Sequence, residues 1–379
     1  MDNQFFFVSR HQKLQEKLIA FTSEHRALLD TEREDADGHA LEIMEKLAKA
    51  GLLKLVVPAE FGGESTTIDV RSLCLARERL CYMSGLADLM FAMQGLGSYA
   101  ITLAGTNQLK QKYLPKVASG EFIAAFAITE PNAGSDTGSM QTTATKDGDD
   151  YIINGAKRFI SNAGIAHFYT LFAKTDRAAG NKGVTAFVLD ANTPGLTIKK
   201  LKLISPHPIG ELEFNNCRIP SKQMLGLPGE GFKLAMRVLD TFRASVGAMA
   251  LGMGTRALDE AINYARTRIL FNKPLTEFQA IQFKLAEIAT ELEGARLLVY
   301  RAAWLKDQGE VITRQAAMAK LFATESAQHA IDEAVQIHGG NGLIHGAITE
   351  RLYREIRATR IYEGTSEIQK IVIANQLLK

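Results

Sequence analysis

Phe122-Ile123-Ala124-Ala125-Phe126-Ala127-Ile128-Thr129-Glu130-Pro131-Asn132-Ala133-Gly134-Ser135-Asp136 is the stretch at which the chain changes character. From Phe122 to Thr129 it is a short apolar run of the kind that forms a buried strand, and turn formers follow directly. Upstream of it, apolar residues recur with the helical period. Downstream, as far as Pro228, short β-rich runs alternate with turn clusters, and from Gly229 the helical period returns. These two changes divide the chain into an N-terminal helical domain over 1–121, a central β domain over 122–228 and a C-terminal helical domain over 229–379. The expected fold class is α+β, mainly α, with a β-barrel or sandwich between a helical domain and a four-helix bundle.

Working outward, Leu14, Leu18, Phe21, Leu28 and Leu29 share one helical face. Leu41, Met44, Leu47 and Ala48 form another, with Gly51 where an αL cap belongs. Asp69 is the expected N-cap of a further helix, and the segment 84–104, almost wholly apolar or small, reads as a helix buried on most sides. Strands are expected at 122–129, 142–146, 151–161, 168–174, 184–190 and 209–214. In the last third, helices are expected at 232–268, from Thr276 to Lys306, and over 313–338. Capping boxes Thr276-x-x-Gln279 and Ser366-x-x-Gln369 would open the second and the final one.

Composition bounds the function without naming it. The 379 residues are 46% hydrophobic and 23% charged, which excludes a disordered polymer or a disulfide-stapled miniprotein. A net charge of +2 gives no electrostatic footprint for nucleic acid or an anionic membrane. Cys74, Cys81 and Cys217 lack disulfide or metal spacing, which suits a reducing compartment. Met1 to Phe7 lack the basic and apolar regions of a signal peptide, and no apolar run approaches the ~20 residues that span a bilayer. A cytoplasmic protein is expected. There is no HExxH, GxSxG, P-loop or strand-following GxGxxG, so metal, hydrolase, NTPase and Rossmann readings have no motif behind them.

Five places can bear chemistry, each with an ordinary alternative. Thr129 to Asp136 either cradles a phosphate or polar ring edge, using open N–H groups and the hydroxyls of Thr129 and Ser135, or simply joins two strands. Tyr362-Glu363-Gly364-Thr365-Ser366 precedes the last helix, where unpaired N–H groups gather and Gly364 permits close backbone approach. Glu363 there is a buried general base or a solvated helix-start carboxylate; desolvation would raise its pKa and the helix end would lower it. His338-Gly339-Gly340-Asn341-Gly342 is a backbone clamp on a ligand or a glycine helix stop. Asp240 and Arg243, one turn apart, make a structural pair or present Arg243 to a ligand phosphate. Arg268, Phe271 and Gln279 flank a turn that could meet a partner subunit or stay a polar surface.

The order of these motifs resembles the acyl-CoA dehydrogenase family of flavoproteins over essentially the whole chain. The resemblance rests on Val57-Pro58 with Phe61-Gly62-Gly63, Ala127 to Asp136, Tyr151-Ile152-Ile153-Asn154-Gly155-Ala156-Lys157 and Gly229-Glu230-Gly231-Phe232. It continues through Phe278-Gln279-Ala280-Ile281-Gln282, Gln336 to Gly342 and Ile361 to Ser366. It implies FAD bound by Phe126, Ile128, Thr129, Gly134 and Ser135 with Phe159, Ile160 and Ser161. Across a dimer interface Arg268, Phe271, Gln279, Gln336, Ile337, Gly339 and Gly340 would meet the same group, and Thr365, Ser366 and Glu367 would complete its site. Ser135, Asp240, Arg243, Tyr362 and Gly364 match substrate positions, and Glu363 matches the catalytic base. The implied reaction takes an α-proton to Glu363 and a β-hydride to flavin N5, turning an acyl-CoA into a trans-2-enoyl-CoA. A homotetramer built as a dimer of dimers and an electron-transferring flavoprotein as acceptor are implied with it. Some relatives carry the base at the position of Phe242, whose ring cannot act as one.

The sequence also departs from the family. Phe159-Ile160-Ser161 stands for a usual Trp-Ile-Thr, Leu270 for Thr and Asn272 for Gly, and Leu203 to Gly210 lacks a usual Gly-x-Arg-x-Ser-x-Thr-like pattern. His207 in that segment is a new polar contact or a solvated loop residue. Gly95-Leu96-Gly97-Ser98-Tyr99 is expected to line the acyl pocket. Competing readings are a dehydrogenase of carrier-protein-bound acyl groups, an enoyl-thioester reductase, and a flavin-binding scaffold without catalysis.

Overall fold

A computed structural model describes residues 6–378; residues 1–5, part of the stretch read above as lacking signal-peptide regions, lie outside the described residues. The first segment folds as α1 (Ser9–Glu24), α2 (Arg26–Leu29), α3 (Ala36–Lys49), α4 (Val70–Met83), α5 (Gly85–Ala104) and α6 (Asn107–Ser119). Leu14, Leu18, Phe21, Leu28 and Leu29 are all buried, but on two helices, because the chain leaves helical geometry at His25. In α3 the buried face is Ala40, Ile43, Met44 and Leu47, whereas Leu41 is exposed, so the expected face is turned by about one position. Gly51 does adopt the left-handed conformation, φ 65°.

The β segment contains β1 (Ala124–Ala127), β2 (Thr143–Asp147), β3 (Asp150–Ser161), β4 (Phe168–Lys174), β5 (Val184–Asp190), β6 (Leu196–Lys200), β7 (Ile209–Pro220) and β8 (Met224–Leu225). They hydrogen-bond in the order β6-β7-β3-β2-β4-β5-β8, with β1 parallel beside β4. Tyr151, Ile153, Ile160, Tyr169, Leu171, Phe187, Leu212 and Phe214 share one buried core. β7 runs past its expected end at 214 because Asn216, at φ 52°, lets the ladder with β3 resume after a register shift.

The last segment holds α7 (Gly231–Thr267), the short hairpin β9 (Ile269–Leu270) and β10 (Lys273–Pro274), α8 (Gln279–Asp307), α9 (Thr313–His338), α10 (Ile348–Ile356) and α11 (Ser366–Leu377). Neither expected capping box forms. Leu275–Glu277 is a 3-10 turn and α8 follows Phe278 without a side-chain cap. α11 is capped one residue early, by the Thr365 hydroxyl, which accepts from the Ile368 N–H at 3.3 Å. Among the described residues no helix is long and apolar enough to cross a membrane.

By packing, the described residues form two units, one of 6–32, 70–88 and 240–378, the other of 33–69 and 89–239, and α5 and α7 each contribute residues to both. In the first unit α4 packs on α1 and α8, and α9 packs on α8, α10 and α11. α7 joins them through small residues: Gly247 faces Val299 and Ala319, Gly254 faces Leu292 and Ala327, and Gly252 lies against the backbone of Glu78 and Tyr82. In the second unit the end of α5 is fastened to β1 and β4. Gln94 accepts from the Ala124 N–H at 2.7 Å and donates to the Phe122 carbonyl at 2.8 Å, and the Thr170 hydroxyl donates to the Gly97 carbonyl at 2.7 Å. The architecture is the expected α+β one: helical, then sheet, then helical.

Candidate active site

Glu363 sits in the turn between a 3-10 segment, Arg357–Arg360, and α11. Its φ of 51° and that of Gly364, 91°, place two successive residues in left-handed backbone. For a glutamate that conformation is uncommon and persists only where surroundings enforce it. Gln369 reaches back from α11 and donates to the carbonyls of Glu363 at 3.3 Å and Gly364 at 2.9 Å. Lys320 Nζ, from α9, donates to the same Gly364 carbonyl at 2.8 Å. A Cβ at position 364 would lie 2.5 Å from the Gln369 amide nitrogen, so glycine is needed there for space as well as for conformation. Ser366 and Gln369, expected to cap the helix, are thus spent elsewhere: Ser366 donates to Glu325 at 2.6 Å.

The carboxylate itself is half-buried, and its Oε2 is shielded from water with no hydrogen-bond partner. Burial pushes its pKa above the usual 4.5, while Arg77, Arg243 and Lys320 pull it down and Asp88 raises it. Arg77 is fixed in turn by Asp88, Nε to Oδ1 at 2.9 Å and Nη2 to Oδ2 at 2.8 Å, and donates to Ser245 at 2.9 Å. Tyr362 places its hydroxyl 3.2 Å from Met249 Sδ, which also receives Arg77 Nη2 at 3.4 Å. Asp240 and Arg243 make the structural pair, 2.6 Å apart, with Thr313 donating to the other Asp240 oxygen at 3.2 Å. Arg243 is buried and its Nε has no acceptor. Arg77, Asp88 and Lys320 were not singled out in the sequence. The available signal was a lone charge inside an apolar helical stretch, as at Lys320 within Ala316-Ala317-Met318-Ala319-Lys320-Leu321-Phe322-Ala323.

In the second unit the loop after β1 is anchored by a buried ion pair. Lys157 Nζ lies 2.8 Å from Glu130 Oε1 and 3.0 Å from the Ile128 carbonyl, and Glu130 also accepts from the backbone of Gln141 and Thr142. Burial lowers the Lys157 pKa to about 8, against the pull of Glu130. Thr129 is half-buried, and Gly134 and Ser135 are exposed, with open space where a Gly134 side chain would be. Phe159 is 51% exposed at φ 57°, in the register shift between Lys157 and Ile160, and Ser161 beyond it is half-buried. Phe126, Ile128 and Ile160 are buried, so their backbone rather than their side chains is left to face a ligand. Leu96 is buried too, and Gly97 is pressed against Ala124. His207 keeps to its own loop, 2.9 Å from the Ser205 carbonyl, and burial lowers its pKa.

Arg268, Phe271 and Gln279 come together at the β9–β10 hairpin. Phe271, 80% exposed, and Asn272 occupy the left-handed turn of the β9–β10 hairpin, and Arg268 and Gln279 are exposed on either side. The Gly339–Leu343 turn is held nearby: His338 stacks on Tyr264 at 4.3 Å, and Asn341 donates to the Tyr264 hydroxyl at 3.0 Å. Gln336, Gly339 and Gly340 are exposed, whereas Ile337 is buried. Thr365 is half-buried, and Glu367 is exposed in the first turn of α11.

Family models for the N-terminal, middle and C-terminal domains of acyl-CoA dehydrogenases match in succession, at residues 9–121, 125–217 and 229–378. The chain belongs to the acyl-CoA dehydrogenase family. It is 40% identical over 379 residues to a 3-(aryl)acrylate reductase of Clostridium sporogenes, covering 99% of this chain and all of that protein. It is 44% identical over 342 residues to the human mitochondrial short-chain specific acyl-CoA dehydrogenase, covering 89% and 82%. Among solved structures, butyryl-CoA dehydrogenase from Megasphaera elsdenii superposes with a TM-score of 0.90 at 36% identity, covering 98% and 99%.

Acyl-CoA dehydrogenases are FAD-dependent oxidoreductases acting on CH–CH bonds. This chain's residues fit such a group. The open space beside Gly134, Gly339 and Gly340 admits a close ligand, and Ser161 and Thr129 offer hydroxyls at half-open positions. Arg268, exposed and without an ion pair among the described residues, suits an anionic phosphate.

Proposed function

We propose that this acyl-CoA dehydrogenase family member abstracts the α-proton of an acyl-CoA thioester with Glu363, in the α,β-dehydrogenation that yields a trans-2-enoyl-CoA. The observation that carries the reading is the Glu363 carboxylate itself: half-buried, held in left-handed backbone, with one shielded oxygen that no protein donor uses. An oxygen without a donor is free to receive a proton, and desolvation makes it a stronger base than an ordinary glutamate. Arg77, Arg243 and Lys320 oppose that effect, each favouring the ionised form needed before the transfer. The Gly364 carbonyl is already bonded twice, so the turn is fixed before substrate arrives. Thr129, Gly134, Ser135, Ser161 and Thr365 would hold FAD, Arg268, Gln279 and Gln336 would meet it across a dimer interface, and the bound group would supply the acceptor for the β-hydrogen as hydride. Ser135, Tyr362, Gly364 and Arg243 are proposed to meet the thioester, with Asp240 orienting Arg243.

Short acyl chains are the first substrates to test, because relatives named for butyryl-CoA and short-chain acyl-CoA align along most of the chain. An electron-transferring flavoprotein is the proposed acceptor. A second reading has its own support: the 3-(aryl)acrylate reductase relative aligns end to end, and the same base serves the reverse reaction as an acid. Anaerobic mixing of the yellow holoenzyme with a panel of saturated acyl-CoAs separates them. Dehydrogenation bleaches the oxidised flavin, and Glu363→Gln should slow that bleaching by at least ~10²-fold while retaining FAD. Bleaching at the wild-type rate in Glu363→Gln removes it as the base. Reoxidation of pre-reduced enzyme by an enoyl-CoA or arylacrylate, without bleaching by any saturated thioester, establishes the reductase.

A further inference from the structure

Lys320 has a side chain with no exposed surface, set in α9 among the buried Ala316, Ala317, Ala319 and Ala323. An ammonium group there loses its hydration and has three donors to satisfy. Its one hydrogen bond goes to a neutral group, the Gly364 carbonyl, directly after Glu363. The two other cations that act on Glu363 are each neutralised locally. Arg77 is paired with Asp88 at 2.8 Å and Arg243 with Asp240 at 2.6 Å. Lys320 has no carboxylate at ion-pair distance among the described residues, so its charge is compensated at longer range, first by Glu363 and then by Glu325 and Glu367, with Arg243 opposing. Burial brings its pKa down to about 8, which still leaves it cationic at neutral pH. Glu325 is itself engaged with Arg360 at 2.9 Å and with Ser366.

We propose that Lys320 is a positioning residue for the base. It holds the Gly364 carbonyl, and through it the left-handed turn, and it supplies a positive charge that favours the ionised Glu363 carboxylate and that no carboxylate neutralises at ion-pair distance among the described residues. The inference rests on the reading of Glu363 as the base. The groups facing that carboxylate are Arg77 from α4, Asp88 from α5, Arg243 from α7 and Lys320 from α9, with Tyr362 beside it in the turn. Removing Lys320 subtracts charge without orphaning an ion-paired carboxylate, whereas removal of Arg77 orphans the buried Asp88 and removal of Arg243 the partly exposed Asp240.

The test uses the FAD-loaded enzyme, with anaerobic flavin bleaching by butyryl-CoA, or by the best saturated acyl-CoA of the panel, followed across pH. Lys320→Gln keeps a donor and loses the charge, Lys320→Met loses both, and Lys320→Arg keeps the charge. In the Gln and Met variants the acid limb of the bleaching rate should move up by on the order of one pH unit. The Met variant should also lose rate on the plateau, as the turn is released, and Lys320→Arg should return the limb towards the wild type. Melting temperature and FAD content are measured for each variant. Gln and Met variants that fold, bind FAD and keep the wild-type limb overturn the proposal, leaving Lys320 only a packing role. If the wild type is bleached by no saturated acyl-CoA, or Glu363→Gln bleaches normally, the base reading fails and this inference falls with it.

Discussion

At the residue scale, the pH response follows from the surroundings of single groups. As the proposed base, Glu363 can act only when ionised, and burial raises its pKa above 4.5. Activity is therefore expected to fall as pH drops through a value above the ordinary glutamate range. The limb should be seen in kcat/KM, which reports the free enzyme; a limb at or below 4.5 would refute the assignment. Lys157 and Glu130 illustrate a different dependence on neighbours. Lys157→Met leaves the Glu130 carboxylate buried with only backbone donors, and should destabilise the fold by about 3–5 kcal/mol. Adding Glu130→Leu removes the orphaned charge and should recover part of the loss in thermal unfolding. The positions of Glu363 and Lys157 were readable because each lies in a local motif. Apart from Arg243, the partners that set the behaviour of Glu363 were not, because Arg77, Asp88, Arg243 and Lys320 meet it from four different helices, and no local pattern links them.

At the element scale, the long periodic helices and apolar strands were legible, with α9 found over its full span, Thr313–His338. What failed depended on competition for side chains. Thr276 and Gln279 lost their box because the chain turns through a 3-10 segment after Pro274, and Ser366 and Gln369 were taken by Glu325 and by the base turn. β6 went unseen since Leu196-Thr197-Ile198-Lys199-Lys200 is short, polar and at the edge of its sheet, where lysines discourage further pairing. Two glycines give opposite expectations. A Cβ at Gly252 would stand 2.2 Å from the Glu78 carbonyl oxygen, a backbone atom of α4 that cannot step aside. Gly252→Ala should cost about 1–3 kcal/mol and lower the melting temperature. Gly134 has nothing within 4 Å, so Gly134→Ala should leave the apoprotein's melting temperature unchanged and weaken only FAD retention. An apoprotein melting much lower would mean the loop packs more tightly than its open surroundings indicate.

At the scale of the whole molecule, the order of motifs along the chain was the legible feature, and family membership followed from it. Assembly was not, because a surface becomes an interface only by fitting another surface. The β9–β10 hairpin nonetheless carries a signal of its own. Ile269, Leu270 and Phe271 are all exposed, with Phe271 held outward in left-handed backbone near Arg268, which has no ion pair among the described residues. Adjacent apolar side chains with a free guanidinium have the character of an anchor rather than of a solvated turn. If the hairpin seats in a second copy and reaches its FAD, assembly and cofactor retention must weaken together. Phe271→Asp is then expected to raise the dissociation constant of the dimer by at least ~10-fold. Light scattering across a dilution series should show the smaller species, and FAD should be lost in step. A variant that keeps both its mass and its flavin would place the hairpin outside any interface, and FAD lost at unchanged mass would confine Phe271 to its own subunit's cofactor.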